Sequence, residues 1–280
     1  MSKAKVVLTD YVWESLDVEE EILGNLADLV PLQVTNPEAF FPEAENCEAL
    51  LNTYGGPITA DIMARMPNCK IIARYGIGVD TIDLAAATEA GIIVTNNPTY
   101  CIEEVAEHTL AMLLTFARKI AFYDRLVRKG EWAVPPGKPM FRLAGSTVGL
   151  IGFGNIARRV ARGAASLDMR VLYSDPFVEA GQFDVPGEKV EFEDLLKESD
   201  YLCVHAPLTP QTRGMVGADA FSKMKSTALI INCSRGPIID TQALVQALDS
   251  EQIAGCALDT TDPEPLPTDH SLRSRENVII

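Results

Sequence analysis

Short apolar runs rich in Val, Ile and Leu alternate along the chain with stretches whose apolar positions recur every three or four residues. The runs read as strands buried on both faces and the stretches as helices, and their alternation predicts α/β units with parallel sheets. In the first third, strands are expected at 5–8, 49–52, 70–73 and 92–94, with helices at 19–28, 60–66 and 84–90. Asn96-Asn97-Pro98 punctuates the pattern, because a residue before proline avoids helix. A long helix is expected from about 103 to 128, carrying Val105, Leu110, Leu113, Leu114 and Ala117 as apolar positions. Pro135-Pro136-Gly137-Lys138-Pro139 reads as a loop. A second α/β series then begins at Val148, with strands near 148–151, 171–173, 201–204, 228–231 and 253–258. Two α/β units joined at Pro98 and by a long helix imply a cleft between them.

The strand at Val148 runs into Gly152-Phe153-Gly154-Asn155-Ile156-Ala157, and a helical stretch follows at once. A further apolar run ends at Asp175, 21 residues after Gly154. Strand, glycine turn, helix, strand and acid in that order form a dinucleotide-binding fingerprint. Gly152 permits the tight turn, Gly154 lets a diphosphate approach the backbone, and Ala157 lets the helix sit close to the strand. The helix start offers free N–H groups and the positive end of its dipole. A carboxylate at position 175 accepts both ribose hydroxyls and repels a 2′-phosphate. Pro176-Phe177-Val178-Glu179 supply no arginine to reverse that choice, so NAD is expected over NADP.

Composition adds limits. The chain has 280 residues, 47% hydrophobic and 22% charged, enough for two ordinary globular domains. Its net charge of −15 disfavours nucleic acid and anionic membrane as partners. Residues 1–10 lack the apolar core of a signal peptide, and no run approaches the length of a membrane span. Six cysteines, at 47, 69, 101, 203, 233 and 256, form neither a Cys-x-x-Cys pair nor a Cys/His cluster. No metal site or disulfide framework is expected, and a reducing, cytoplasmic location is.

Three further segments stand at strand ends of the second series, where open α/β sheets place ligands. They are His205-Ala206-Pro207-Leu208, Asn232-Cys233-Ser234-Arg235-Gly236 and Leu258-Asp259-Thr260-Thr261-Asp262-Pro263-Glu264-Pro265. With Arg74-Tyr75-Gly76-Ile77-Gly78-Val79-Asp80, Ala106-Glu107-His108-Thr109 and the glycine turn, they resemble the D-isomer-specific 2-hydroxyacid dehydrogenases. Phosphoglycerate dehydrogenases and the C-terminal binding protein corepressors share that pattern. The resemblance implies an α/β fold of two Rossmann-like domains. Residues 1–98 would form a flavodoxin-like substrate domain lacking its C-terminal helix. Residues 99–280 would form a doubly wound parallel-sheet NAD-binding domain that includes the long linking and dimerisation helix.

The resemblance also implies roles. Arg235 would be the catalytic arginine, holding the substrate carboxylate and polarising the adjacent carbonyl. The Tyr75-Gly76-Ile77-Gly78 turn would give a second carboxylate grip through backbone N–H groups. Asp259 would hold the nicotinamide end of NAD, with Ile77, Asn155, Ile156, Ala206 and Cys233 at other cofactor-contacting positions. Glu264 would orient a catalytic histidine and raise its pKa. In the family that histidine gives a proton to the keto oxygen as hydride arrives from NADH, and it follows the strand that begins Asn-Val-Ile. Here the sequence stops at Ile280, so the last strand is expected to be cut short and the histidine missing. His108, His205 and His270 do not match its place. The chain as it stands is expected to bind NAD with little turnover. An NAD-binding corepressor-like scaffold and an inactive truncated homologue are the alternatives. A homodimer acting on a small 2-hydroxy or 2-keto acid is implied. The absence of a basic residue near Thr53, in Asn52-Thr53-Tyr54-Gly55-Gly56, disfavours a phosphorylated substrate.

Overall fold

The computed structural model describes residues 3–137 and 139–280, which form two compact units, Met1–Cys101 and Ile102–Ile280. The first unit runs β1 (Ala4–Leu8), α1 (Asp17–Leu23), β2 (Ala27–Pro31), α2 (Pro37–Ala44), β3 (Ala49–Asn52), α3 (Ala60–Ala64), β4 (Ile71–Arg74), α4 (Leu84–Glu89) and β5 (Ile93–Thr95). Its strands are all parallel, in the order β2-β1-β3-β4-β5, the flavodoxin-like arrangement. Val7, Leu50 and Ile72, one from each central strand, are fully buried against Phe40, Ile58 and Met66. Side chains set the helix starts: Asn36 accepts from the Glu38 N–H at 3.0 Å and Asp83 from the Ala86 N–H at 3.0 Å.

The structure departs from the sequence reading at two places in this unit. The helix read over 19–28 stops at Leu23, and residues 27–31 instead pair with β1 along its whole length. Strand pairing outweighs the helical spacing once Gly24 ends the helix. The helix α2 is not among the elements expected from the sequence. Pro37 occupies the first helical position, where its missing N–H costs nothing.

The second unit runs α5 (Ile102–Ala117), α6 (Ile120–Arg128), β6 (Thr147–Ile151), α7 (Asn155–Ser166), β7 (Arg170–Ser174), β8 (Glu188–Lys189), α8 (Phe192–Glu198), β9 (Tyr201–Val204), α9 (Ala218–Lys223), β10 (Leu229–Asn232), α10 (Thr241–Asp249), β11 (Gly255–Leu258) and β12 (Val278–Ile279). Its parallel sheet has the order β8-β7-β6-β9-β10-β11-β12, doubly wound about a switch between β6 and β9. Helices cover both faces. Along β10, Ile230 packs into one layer and Ile231 into the other.

The long helix expected over 103–128 is broken at Lys119, which adopts a left-handed φ of 55°. The break separates two environments. α5 buries Met112, Leu113 and Phe116 toward the sheet, whereas α6 buries no residue. Of the loop read at 135–139, residues Pro135–Gly137 make a single 3-10 turn, and Lys138 lies outside the described residues. Among the described residues no helix is long and apolar enough to cross a membrane. All six cysteines are free thiols.

Candidate cofactor and substrate site

The turn after β6 shows why two glycines stand there for different reasons. Gly152 has φ +86° and donates its N–H to the Ser174 carbonyl at 2.9 Å. A Cβ on it would lie 3.0 Å from the Ala206 nitrogen, so both backbone angle and packing demand glycine. Gly154 differs: a Cβ there would meet nothing within 4 Å. It opens α7 with no side chain capping the helix, and no acid lies in the first turn. Bare backbone, open space and the N–H groups of a 12-residue helix thus coincide at Gly154, Asn155 and Ile156. Ala157, fully buried, lets the helix approach the sheet. These residues fit the diphosphate of a dinucleotide.

Asp175 follows β7 directly, and its two oxygens are fixed by backbone. Oδ2 accepts from the Phe153 N–H and Oδ1 from the Phe177 N–H, both at 2.8 Å. Each oxygen keeps a second lone-pair site for a ribose hydroxyl. The acid also holds the glycine turn, while the Phe153 ring stacks on Tyr173 at 3.8 Å.

The remaining strand ends of this unit bring Ala206, Cys233, Arg235 and Asp259 to the same edge of the sheet. The buried Ala206 carbonyl accepts from Ser234 Oγ at 2.5 Å. Burial pushes the Cys233 thiol up to about 11, and its Sγ rests 3.8 Å from Met112 Sδ, so it packs rather than reacts. Buried Asn232 braces the turn: Oδ1 accepts from the Ser234 N–H at 3.0 Å, and Nδ2 donates to the Arg235 carbonyl at 2.9 Å. Arg235 is half-buried, with Nη1 donating to the Ser234 carbonyl at 2.9 Å. Next to it, Gly236 lies against the backbone of Thr261 and Asp262. The exposed Glu264 accepts from the Thr261 N–H at 3.4 Å. Asp259 donates its N–H to the Asn232 carbonyl at 2.9 Å, and its Oδ1 lies 3.3 Å from His108 Nε2.

None of the three histidines touches Glu264 among the described residues. His108 faces Asp259, and His270 accepts from the Leu272 N–H at 3.3 Å as the cap of a 3-10 turn. His205 Nε2 is sealed from solvent without a hydrogen-bond partner among the described residues, and burial lowers its pKa to about 4.

In the first unit, the turn after β4 carries Tyr75, Gly76, Ile77 and Gly78. The Tyr75 N–H donates to the Asn52 carbonyl at 2.8 Å and the Gly76 N–H to the Arg74 carbonyl at 3.0 Å. Asn96 Nδ2 holds the Ile77 carbonyl at 2.7 Å. The N–H groups of Ile77 and Gly78 have no acceptor among the described residues. Tyr75 itself is turned to packing: its hydroxyl donates to Glu19 at 2.9 Å and its ring lies 4.9 Å from Trp13. Burial first, then Glu19, raises its pKa.

Residues 110–280 match the family model described as D-isomer specific 2-hydroxyacid dehydrogenase, NAD binding domain. The chain belongs to this family. It is 36% identical to a glyoxylate reductase of Korarchaeum cryptofilum over 96% of this chain and 84% of that one. It is 38% identical to a D-3-phosphoglycerate dehydrogenase of Archaeoglobus fulgidus over 86% of this chain, but only 46% of that enzyme's length. Its fold is similar to that of the D-lactate dehydrogenase from Aquifex aeolicus complexed with NAD and lactic acid. The TM-score is 0.89 at 29% identity, covering 98% of this chain and 87% of that one. This 2-hydroxyacid dehydrogenase is therefore an NAD-dependent oxidoreductase.

Sequence reasoning missed one carboxylate in the dehydrogenase. Asp10, buried at the end of β1, accepts from the N–H groups of Thr53 at 3.2 Å, Tyr54 at 2.6 Å and Gly55 at 2.9 Å. Thr53 adds a bond from Oγ1 to the Asp10 carbonyl at 2.9 Å. Thr9-Asp10 just after an apolar strand was the available signal. Thr9 Oγ1 donates to Asp10 from next door at 2.7 Å, but its three backbone donors lie more than forty positions away, beyond any local pattern.

Proposed function

We propose that this dehydrogenase interconverts a small D-2-hydroxy acid and its 2-keto acid. Bound NADH supplies the hydride; the chain's own residues bind and orient. In this reading Gly152, Gly154, Asn155 and Ile156 hold the diphosphate and Asp175 takes the ribose hydroxyls. Ala206, Cys233, Asp259 and Ile77 serve the rest of the cofactor. Arg235 takes a substrate carboxylate and polarises the neighbouring carbonyl. The N–H groups of Ile77 and Gly78 offer a second carboxylate grip, and Tyr75 and Gly76 shape that turn. Glu264 is the acid that would orient a proton-donating imidazole.

The observation that carries the reading is the open space before Gly154, with Asp175 pinned beside it by two backbone N–H groups. The loop at 53–55 favours an unphosphorylated substrate. Its amides are already bound to Asp10, and that carboxylate adds negative charge where a phosphate would need the opposite. A homodimer belongs to the same reading, supported by the exposed Ile120 and Val127 of α6; sedimentation velocity would test it.

The direct test uses quenching of bound NADH fluorescence by a panel of glyoxylate, hydroxypyruvate, pyruvate and 3-phosphohydroxypyruvate. A saturable response to an unphosphorylated keto acid, lost in Arg235→Gln, is expected. A response that Arg235→Gln leaves unchanged would overturn the assignment.

A further inference from the structure

We propose that His108 is a positioning residue for Asp259. It holds one carboxylate oxygen so that the other is presented to the carboxamide of the nicotinamide end of NAD. The inference rests on the cofactor reading above and assigns a task to a side chain that reading leaves unused.

Asp259 has its backbone fixed by Asn232, and among the described residues its side chain has one ionisable partner, His108 Nε2 at 3.3 Å from Oδ1. Oδ2 accepts no hydrogen bond among the described residues. A carboxylate is an acceptor only, so its free oxygen selects an N–H donor such as a carboxamide. The imidazole contributes by fixing which oxygen remains free.

The helix that carries His108 is itself held to the cofactor edge. Thr109 on its inner face is fully buried, and Met112 Sδ lies 3.8 Å from Cys233 Sγ at the end of β10. Glu103 pairs with Arg159 on α7, and Leu110 packs where Gly163 of α7 has no Cβ. One rigid element, α5, thus touches both the helix that receives the diphosphate and the acid at the nicotinamide end.

Folding does not explain the pair. Both side chains are about half exposed, at 50% and 46%, and a polar pair that open to water contributes little to stability. Its place at the strand-end edge gives it a use in binding instead.

The test compares NADH with ADP-ribose, which keeps the diphosphate and adenosine but lacks the nicotinamide, by calorimetry on the full chain. His108→Ala should raise the NADH Kd about fivefold or more, as expected for one lost polar contact, and leave ADP-ribose within about twofold. His108→Gln, which restores an N–H donor, should recover most of the loss. In the double variant with Asp259→Asn, the two NADH losses should fail to add. Equal weakening of both ligands in His108→Ala, or no weakening of NADH, would overturn the role. A native chain that binds neither ligand would instead overturn the cofactor reading on which it rests.

Discussion

A Cβ on Gly236 would lie 2.0 Å from the carbonyl oxygen of Thr261. The turn bearing Arg235 is thereby laid directly on the loop bearing Glu264, backbone against backbone, with no flexible side chain to yield. Gly236→Ala must push the two apart. The expected cost is about 3 kcal/mol of stability or more, together with loss of keto-acid binding. Urea unfolding and NADH-fluorescence quenching check the two parts separately.

Asp10 serves as an internal anion for the loop at 53–55. Removing it leaves three backbone N–H groups in a buried setting without their acceptor. Asp10→Ala should therefore destabilise the first unit by about 2–4 kcal/mol. Asp10→Asn, which keeps one acceptor oxygen, should lose less. Hydrogen exchange at Thr53, Tyr54 and Gly55 is the local readout; unchanged protection there would contradict the role.

These two contacts mark where the sequence stops being legible. Strands at Val148 and Tyr201 read correctly because both faces are buried and the runs are continuously apolar. β2 did not, since its Asp28 and Pro31 dilute the pattern and only pairing with β1 defines it. The break at Lys119 has no local signature: it falls where the buried face of α5 ends and α6, which buries no residue, begins. The glycine turn and Asp175 were legible as a motif, but the two N–H groups that fix the carboxylate were not. The same holds for His108, whose contact with Asp259 comes from α5 packing on the sheet.

His205 makes stability depend on pH. Its folded pKa of about 4 lies below the ordinary 6.5 because burial disfavours the charged ring, so between those values the unfolded chain binds more protons. Its contribution is fully present above pH 6.5 and falls as pH drops toward 4, by up to on the order of 3 kcal/mol. Urea unfolding of native protein and His205→Gln at pH 7 and pH 4.5 isolates the effect. The native form should lose more stability than the variant across that window; parallel losses would show the ring is not sealed.

Cofactor choice tests the whole account most directly. Calorimetric titration of the native chain with NADH and with NADPH should show one site that prefers NADH by about a hundredfold, from a half-buried carboxylate opposing a 2′-phosphate. Asp175→Ala should lose most of that preference and weaken NADH as well, since the same carboxylate holds the Phe153 N–H of the glycine turn. No heat with NADH from folded protein, or equal affinity for both nucleotides, would contradict it.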